Sequence, residues 1–255
     1  MRRSLIEIMT QVWKETADFF LPRHCLCCGD RLSTQENHIC LSCLCSLPRT
    51  NYHHAEHSPM EQIFWGRFPI EKAVSFFFYD SDNVRRMVWA LKYNAAPYIG
   101  EYLGRIYARE ILDSGFFDGV DLIVPVPLSW KRKLKRGYNQ CEYIARGISK
   151  ETGIPIARDA VTRTTNNVTQ THLTQAERQD NVKNIFHVKD TQIIRGKHLL
   201  IIDDVLTTGS TVSSLAETIA AADAQTRISV LTLSIAGQNK GMPYTDTGHL
   251  PDQVV

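Results

Sequence analysis

The amino-acid sequence predicts an α/β protein with a mainly parallel, doubly wound sheet and a small N-terminal module held by cysteines. Three observations predict it. From residue 70 onward, short aliphatic runs alternate with amphipathic stretches of helical length. Those runs are bounded by polar or turn-forming residues, as strands buried on both faces are. Of the seven cysteines, six lie between Cys25 and Cys45, a clustering that suits metal ligation better than scattered disulfides.

The elements follow in chain order. Leu5, Ile8, Met9, Val12, Trp13, Phe19 and Phe20 fall mostly at helical spacing and Pro22 ends the run, so 1–22 reads as an amphipathic helix. Its polar face carries both charge signs, which fits packing on a partner surface better than lying on a membrane. Residues 23–48 hold the cysteine module, and the His-, Pro- and Ser-rich 49–69 reads as a linker. Within 70–237, Ala73–Tyr79, Leu122–Val126, Leu199–Ile202 and Ile228–Ile235 read as strands. Asn83–Tyr93, Ile99–Leu112, Asn139–Thr152 and Thr211–Ala222 read as helices, the third stopped by Gly153. The polar 238–255 reads as a flexible tail.

Composition narrows the function classes. The 255 residues are 43% hydrophobic and 22% charged, enough for one large domain or one domain with an appendage. The net charge of +2 gives no bulk argument for nucleic acid, leaving only local clusters. Met1-Arg2-Arg3 could open a signal peptide, but Glu7, Lys14, Glu15 and Asp18 interrupt the apolar residues that would follow. No window of 18 apolar residues is free of charge, so no transmembrane helix is expected. The expectation is a cytoplasmic protein with reduced thiols.

Cys25-x-x-Cys28 and Cys40-x-x-Cys43 are two pairs separated by eleven residues. Each pair can present two thiolates from one turn, and two facing turns make the tetrahedral sulfur site that Zn²⁺ prefers. Four thiolates leave no open position, so the zinc would be structural, supplying folding free energy to a module too small to bury much core. Cys27 and Cys45 could each replace a neighbour, His24 and His38 are reserve ligands, and a redox pair is the competing reading.

The most informative segment is Leu199-Leu200-Ile201-Ile202-Asp203-Asp204-Val205-Leu206-Thr207-Thr208-Gly209-Ser210-Thr211. Four aliphatic residues end a buried strand, two acids follow, then a loop of small hydroxyl residues opens a helix. Ligands of open α/β sheets bind beyond the carboxyl ends of strands. The loop offers backbone N–H groups at a helix N-terminus, which favours phosphate. Two carboxylates beside an anion site would repel the anion, unless the ligand places hydroxyls at the acids and phosphate at the loop, as a ribose phosphate does. An acid pair alone could instead bind Mg²⁺ or cap a helix. No Lys follows the glycine, so this is not a Walker loop.

A second predicted strand end leads into Lys131, Arg132, Lys133, Lys135, Arg136, Gly137 and Tyr138, with five cations in six residues. Gly137 would permit close backbone approach and Asn139 would cap the next helix. The cluster could be a solvated charged face, or could contact the phosphates of single-stranded nucleic acid, with Trp130 and Tyr138 available to stack on bases. Residues 161–186 form a long polar stretch that carries Arg163 and Arg178.

The segment around Asp203-Asp204 resembles the signature of type I phosphoribosyltransferases. The resemblance implies that Asp203 and Asp204 hold the ribose of phosphoribosyl pyrophosphate (PRPP). It implies that Thr207, Thr208, Gly209, Ser210 and Thr211 hold its 5-phosphate, and that the basic segment cradles pyrophosphate. It also implies that 161–186 is a flexible loop closing over the site, with Arg163 or Arg178 stabilising departing pyrophosphate. The order of the cysteine module, Leu91-Lys92-Tyr93, Val124-Pro125-Val126-Pro127, Arg136-Gly137-Tyr138-Asn139-Gln140, Gln170 with Leu173, Arg178-x-x-Asn181 and Asp203-Asp204 is similar to the ComF family. That resemblance covers about Cys25 to Ala236. It implies a role in DNA uptake beside the uptake machinery, PRPP with Mg²⁺ as ligand, and Lys92 near the site. Two functions stay open: transfer of phosphoribosyl to an unidentified nitrogen acceptor, or single-stranded DNA binding with PRPP or a nucleotide as effector.

Overall fold

The computed structural model describes residues 20–93, 96–163 and 185–237. The expected N-terminal helix up to residue 19, the tail from 238, and the calls on Gln170, Leu173, Arg178 and Asn181 lie outside these residues. In chain order the elements are α1 (Leu41–Ser46), α2 (Pro59–Gln62), β1 (Ala73–Phe78), α3 (Asp82–Tyr93), α4 (Tyr98–Ile111), β2 (Leu122–Pro125), α5 (Trp130–Arg136) and α6 (Gln140–Thr152). Then come β3 (Val161–Arg163), β4 (Phe186–Val188), α7 (Thr191–Ile194), β5 (His198–Leu206), α8 (Ser210–Ala222) and β6 (Arg227–Ile235).

Four strands form one parallel sheet in the order β1-β6-β5-β2. Side chains alternate across it. Leu200 and Ile202 join a core with Leu91, Leu103 and Ile144 from α3, α4 and α6. Leu199 and Ile201 join the opposite core with Leu215 and Ile219 from α8. Helices therefore cover both faces, as a doubly wound sheet requires. Asn139 caps α6 by accepting from Cys141 N at 3.1 Å, and Gly153 ends it in the left-handed region at φ 74°. Among the described residues, no helix is long and apolar enough to cross a membrane.

Three expectations need correction. β5 does not stop at Ile202: it pairs with β6 through Asp203↔Thr232 to Leu206↔Ile235, so the acid pair lies within the strand. The basic segment, for which the sequence predicts no element, is a helix, α5; none of its residues is buried, so no apolar periodicity announces it. Residues 49–69, expected as a linker, pack on the sheet. Met60 and Phe64 are both 0% exposed and join the core beneath α8. The cysteine module is likewise no separate body, because Cys25, Cys27, Ile39 and Leu47 share a core with Phe76 and Leu231.

Helices α4 and α6 meet at backbone distance. A Cβ on Gly147 would lie 2.2 Å from Glu101 O, and one on Gly104 would lie 2.4 Å from Ile144 O. Glycine is required at both contacts, and the close approach fixes α6, which carries two residues of the site.

Candidate functional site

The carboxyl end of β5, the start of α6, the loop after β2, α5, and the end of α3 converge on a pocket of about 340 Å³. Asp203 and Asp204 form its floor. Asp204 is buried; its Oδ2 lies 3.0 Å from Lys92 Nζ and accepts from Gln140 Nε2 at 3.0 Å. Asp203 Oδ1 accepts from Asp204 N at 2.9 Å and from Cys141 Sγ at 3.5 Å. Burial, and then the Asp204 charge, pushes Asp203 up to about 7. Burial, and then the two carboxylates, holds the Cys141 thiol well above its usual range, so Cys141 is a neutral donor to Asp203.

Four cations line the same pocket: Lys92, Arg132, Arg136 and Arg163. Set against two carboxylates, they leave a formal excess of +2, which favours a polyanion. Arg136 is fixed by donating to Gln140 Oε1 at 2.9 Å and by lying 5.4 Å from the Tyr93 ring centroid. Arg163 is on β3, not in a loop, and its guanidinium lies 5.5 Å from the Phe186 ring centroid. Its pKa is lowered by burial and then by the like charge of Arg132.

Thr207 and Thr211 line the pocket, while Thr208, Gly209 and Ser210 make the turn into α8. Gly209, the N-cap of α8, has φ 73° and no side chain to cap the helix; Ser210 N donates to Thr208 Oγ1 at 3.4 Å, and Thr211 in the first turn of α8 lines the pocket. The turn is braced from the segment before the sheet. Arg67 Nη1 donates to Thr208 O at 3.3 Å and to Ser213 Oγ at 3.2 Å, and a Cβ on Gly209 would lie 2.9 Å from Ile63 and 3.1 Å from Phe64.

Lys131, Lys133 and Lys135 are exposed on α5 and do not line the pocket. Gly137 caps α5 at φ 77° with open space around its Cβ position, so the left-handed turn, and not close approach, selects glycine there. Tyr138 points inward and donates to Leu91 O, tying the end of α3 to α6; it is not free to stack on a base. Residue-by-residue reading missed Gln140, Cys141, Arg67 and Tyr79. Lys92 entered by family resemblance alone, since 112 residues separate it from Asp204.

In the N-terminal module the Sγ atoms of Cys25, Cys28, Cys40 and Cys43 lie within 4.8 Å of one another. The pair Cys28–Cys40 is 3.8 Å apart. A tetrahedron with metal–sulfur bonds of about 2.3 Å has sulfurs about 3.8 Å apart, the Cys28–Cys40 separation, so the four could hold a metal ion by drawing together slightly. Burial would raise Cys25, but backbone N–H groups, led by that of Cys40, point at its sulfur and hold it at about 6. The other candidates are otherwise engaged. Cys27 is buried and pushed up to about 12 by burial and then by Cys25, Cys45 lies outside the cluster, His24 Nδ1 contacts Gly29 O at 2.9 Å, and His38 packs on Tyr98 and Tyr102.

Comparison with known proteins matches residues 138–247 to the phosphoribosyl transferase domain. The DNA utilization protein YhgH of Escherichia coli (strain K12) is 31% identical over 176 residues, 68% of this chain and 74% of that protein. Competence protein F of Haemophilus influenzae is 33% identical over 98 residues, 38% of this chain and 43% of that protein. Among solved structures, the glutamine PRPP amidotransferase from B. subtilis complexed with ADP and GMP aligns with a TM-score of 0.41 at 18% identity, over 57% of this chain and 30% of that one. The matched domain contains the acid pair and the turn into α8, while Lys92, Arg132 and Arg136 precede it.

Proposed function

Since the chain belongs to the ComF family of phosphoribosyltransferase-like proteins, we propose that it binds PRPP, presented as its Mg²⁺ complex, and acts in the utilisation or uptake of DNA. One observation carries the reading: a single pocket joins two carboxylates, the threonines at the start of α8 and four cations. Asp203 and Asp204 accept the ribose hydroxyls. Thr207 to Thr211 hold the 5-phosphate at the mouth of α8. Arg132, Arg136 and Arg163 hold the pyrophosphate, and Lys92 balances Asp204. Positioning and charge then favour departure of pyrophosphate from C1 toward a nitrogen acceptor.

Calorimetric titration of PRPP with and without Mg²⁺ tests the binding. Because Asp203 titrates near 7, protonation below that pH removes an anionic acceptor, so affinity is expected to rise from pH 6 to 8. The same rise should be absent from Asp203→Asn, which separates it from titration of PRPP itself. No measurable heat at any pH would end the reading.

In the N-terminal module Cys25, Cys28, Cys40 and Cys43 hold structural Zn²⁺. Elemental analysis is expected to find one zinc per chain, and Cys40→Ser is expected to lose it together with thermal stability. A zinc-free protein with an unchanged melt would remove the assignment.

A second reading, single-stranded DNA binding, draws on α5. Trp130 and Leu134 are 64% and 70% exposed, one turn apart, beside Lys131, Lys133 and Lys135. Removing these three charges is expected to flatten the plot of log affinity against log salt by about 2 units, since each phosphate contact contributes about 0.7. An unchanged slope would separate α5 from DNA.

A further inference from the structure

The sequence shows no site for an acceptor, but the structure has a second cavity beside the first. A groove of about 460 Å³ lies between α3 and the cysteine module, lined by Leu26, Tyr79, Arg85, Arg86, Trp89 and Ala90. It adjoins the acid-pair pocket: Tyr79, directly after β1, lines both. Helix α3 also serves both, with Trp89 in the groove and Lys92, less than a turn further on, at Asp204.

The lining chemistry selects the occupant. Leu26, Tyr79, Trp89 and Ala90 make apolar walls, and Trp89 is 56% exposed, with its ring 5.9 Å from that of Tyr93. An indole left that open offers a stacking surface to a flat ring. The two arginines have different duties. Arg86 Nη1 donates to Cys27 O at 2.8 Å and fastens the cysteine module to α3. Arg85 has only Asp82, at 3.2 Å with both side chains largely exposed, a pair of little energetic weight that an anion can displace. The volume fits one or two fused rings.

We propose that this groove is the acceptor site, and that it takes a planar heteroaromatic ring bearing a carboxylate. The ring stacks on Trp89 and the carboxylate pairs with Arg85. This rests on the ribose-phosphate reading of the neighbouring pocket. In the transfer, the lone pair of a ring nitrogen forms the bond to C1 as the C1–O bond to pyrophosphate breaks. Pyrophosphate leaves with that electron pair, and a ring N–H proton, where there is one, goes to the departing pyrophosphate.

The test uses full-length, zinc-loaded protein and calorimetric titration of nicotinate and orotate, with nicotinamide and uracil as uncharged counterparts, each with and without PRPP. At least one acid is expected to bind tenfold or more tightly than its uncharged counterpart, and Arg85→Ala is expected to erase that difference. Trp89→Ala is expected to weaken the acid tenfold while PRPP binding stays within twofold. If PRPP binds but neither acid does, or if acid binding survives Trp89→Ala, the groove assignment is overturned and the pocket reading stands. If an acid binds at Trp89 but PRPP binds nowhere, the groove remains a ring-acid site and the transfer reading is overturned.

Discussion

A protein carrying Asp203→Asn and Asp204→Asn is expected to bind PRPP at least about 100-fold more weakly than the wild type. A hydroxyl donating to a carboxylate gains about 1.5 kcal/mol over one donating to an amide, so two such losses come to about 3 kcal/mol. The fold should survive. The substitution removes the repulsion that raises Asp203, and Lys92, with its side chain 21% exposed, can turn to solvent when Asp204 no longer pairs with it. Calorimetry should therefore show the loss of binding while the thermal melt moves by only a few degrees. Affinity within threefold of the wild type, in a protein that melts normally, would mean that the ribose does not sit on these acids.

The second large effect is on stability. Gly147→Ala is expected to destabilise by about 3 kcal/mol, the upper part of the range for overpacking. In an isolated helix the same change would gain about 1 kcal/mol, so the sign itself is diagnostic. The added methyl would meet Glu101 O at 2.2 Å and Arg105 N at 2.8 Å. Both are backbone atoms of α4 and cannot retreat without parting the helices. Gly100→Ala is the control, since its nearest neighbour is the flexible Leu91 Cδ1 at 3.0 Å. A denaturant melt in which the two variants lose equal stability would contradict the close helix contact.

Much of this was legible in the chain and some could not be. The strands from Ala73, Leu122 and Ile228 announce themselves because they are buried on both faces and so are mostly apolar, broken only by small hydroxyl residues such as Ser75, Ser229 and Thr232. Asn139 and Gly153 mark the ends of α6 by cap chemistry. The acid pair and hydroxyl turn were readable because they are contiguous. Gln140 and Lys92 were not readable as partners of Asp204, because contact across the fold leaves no trace in spacing. Residues 49–69 misled because polar composition hid Met60, Phe64 and Phe68, three anchors at four-residue intervals that the His-, Pro- and Ser-rich neighbours obscure. α5 escaped notice because a helix with no buried face has no apolar period to read.

The bracing of the turn into α8 by Ile63, Phe64 and Arg67 has a consequence for anyone who would trim this protein. A fragment cut at residue 70 would retain every side chain assigned to PRPP, yet lose the floor on which the phosphate cradle rests. It would open an oily trench where Met60 and Phe64 had been. In this chain the ligand-binding unit begins upstream of its own sheet, and the stretch that looks most dispensable on paper is part of the foundation.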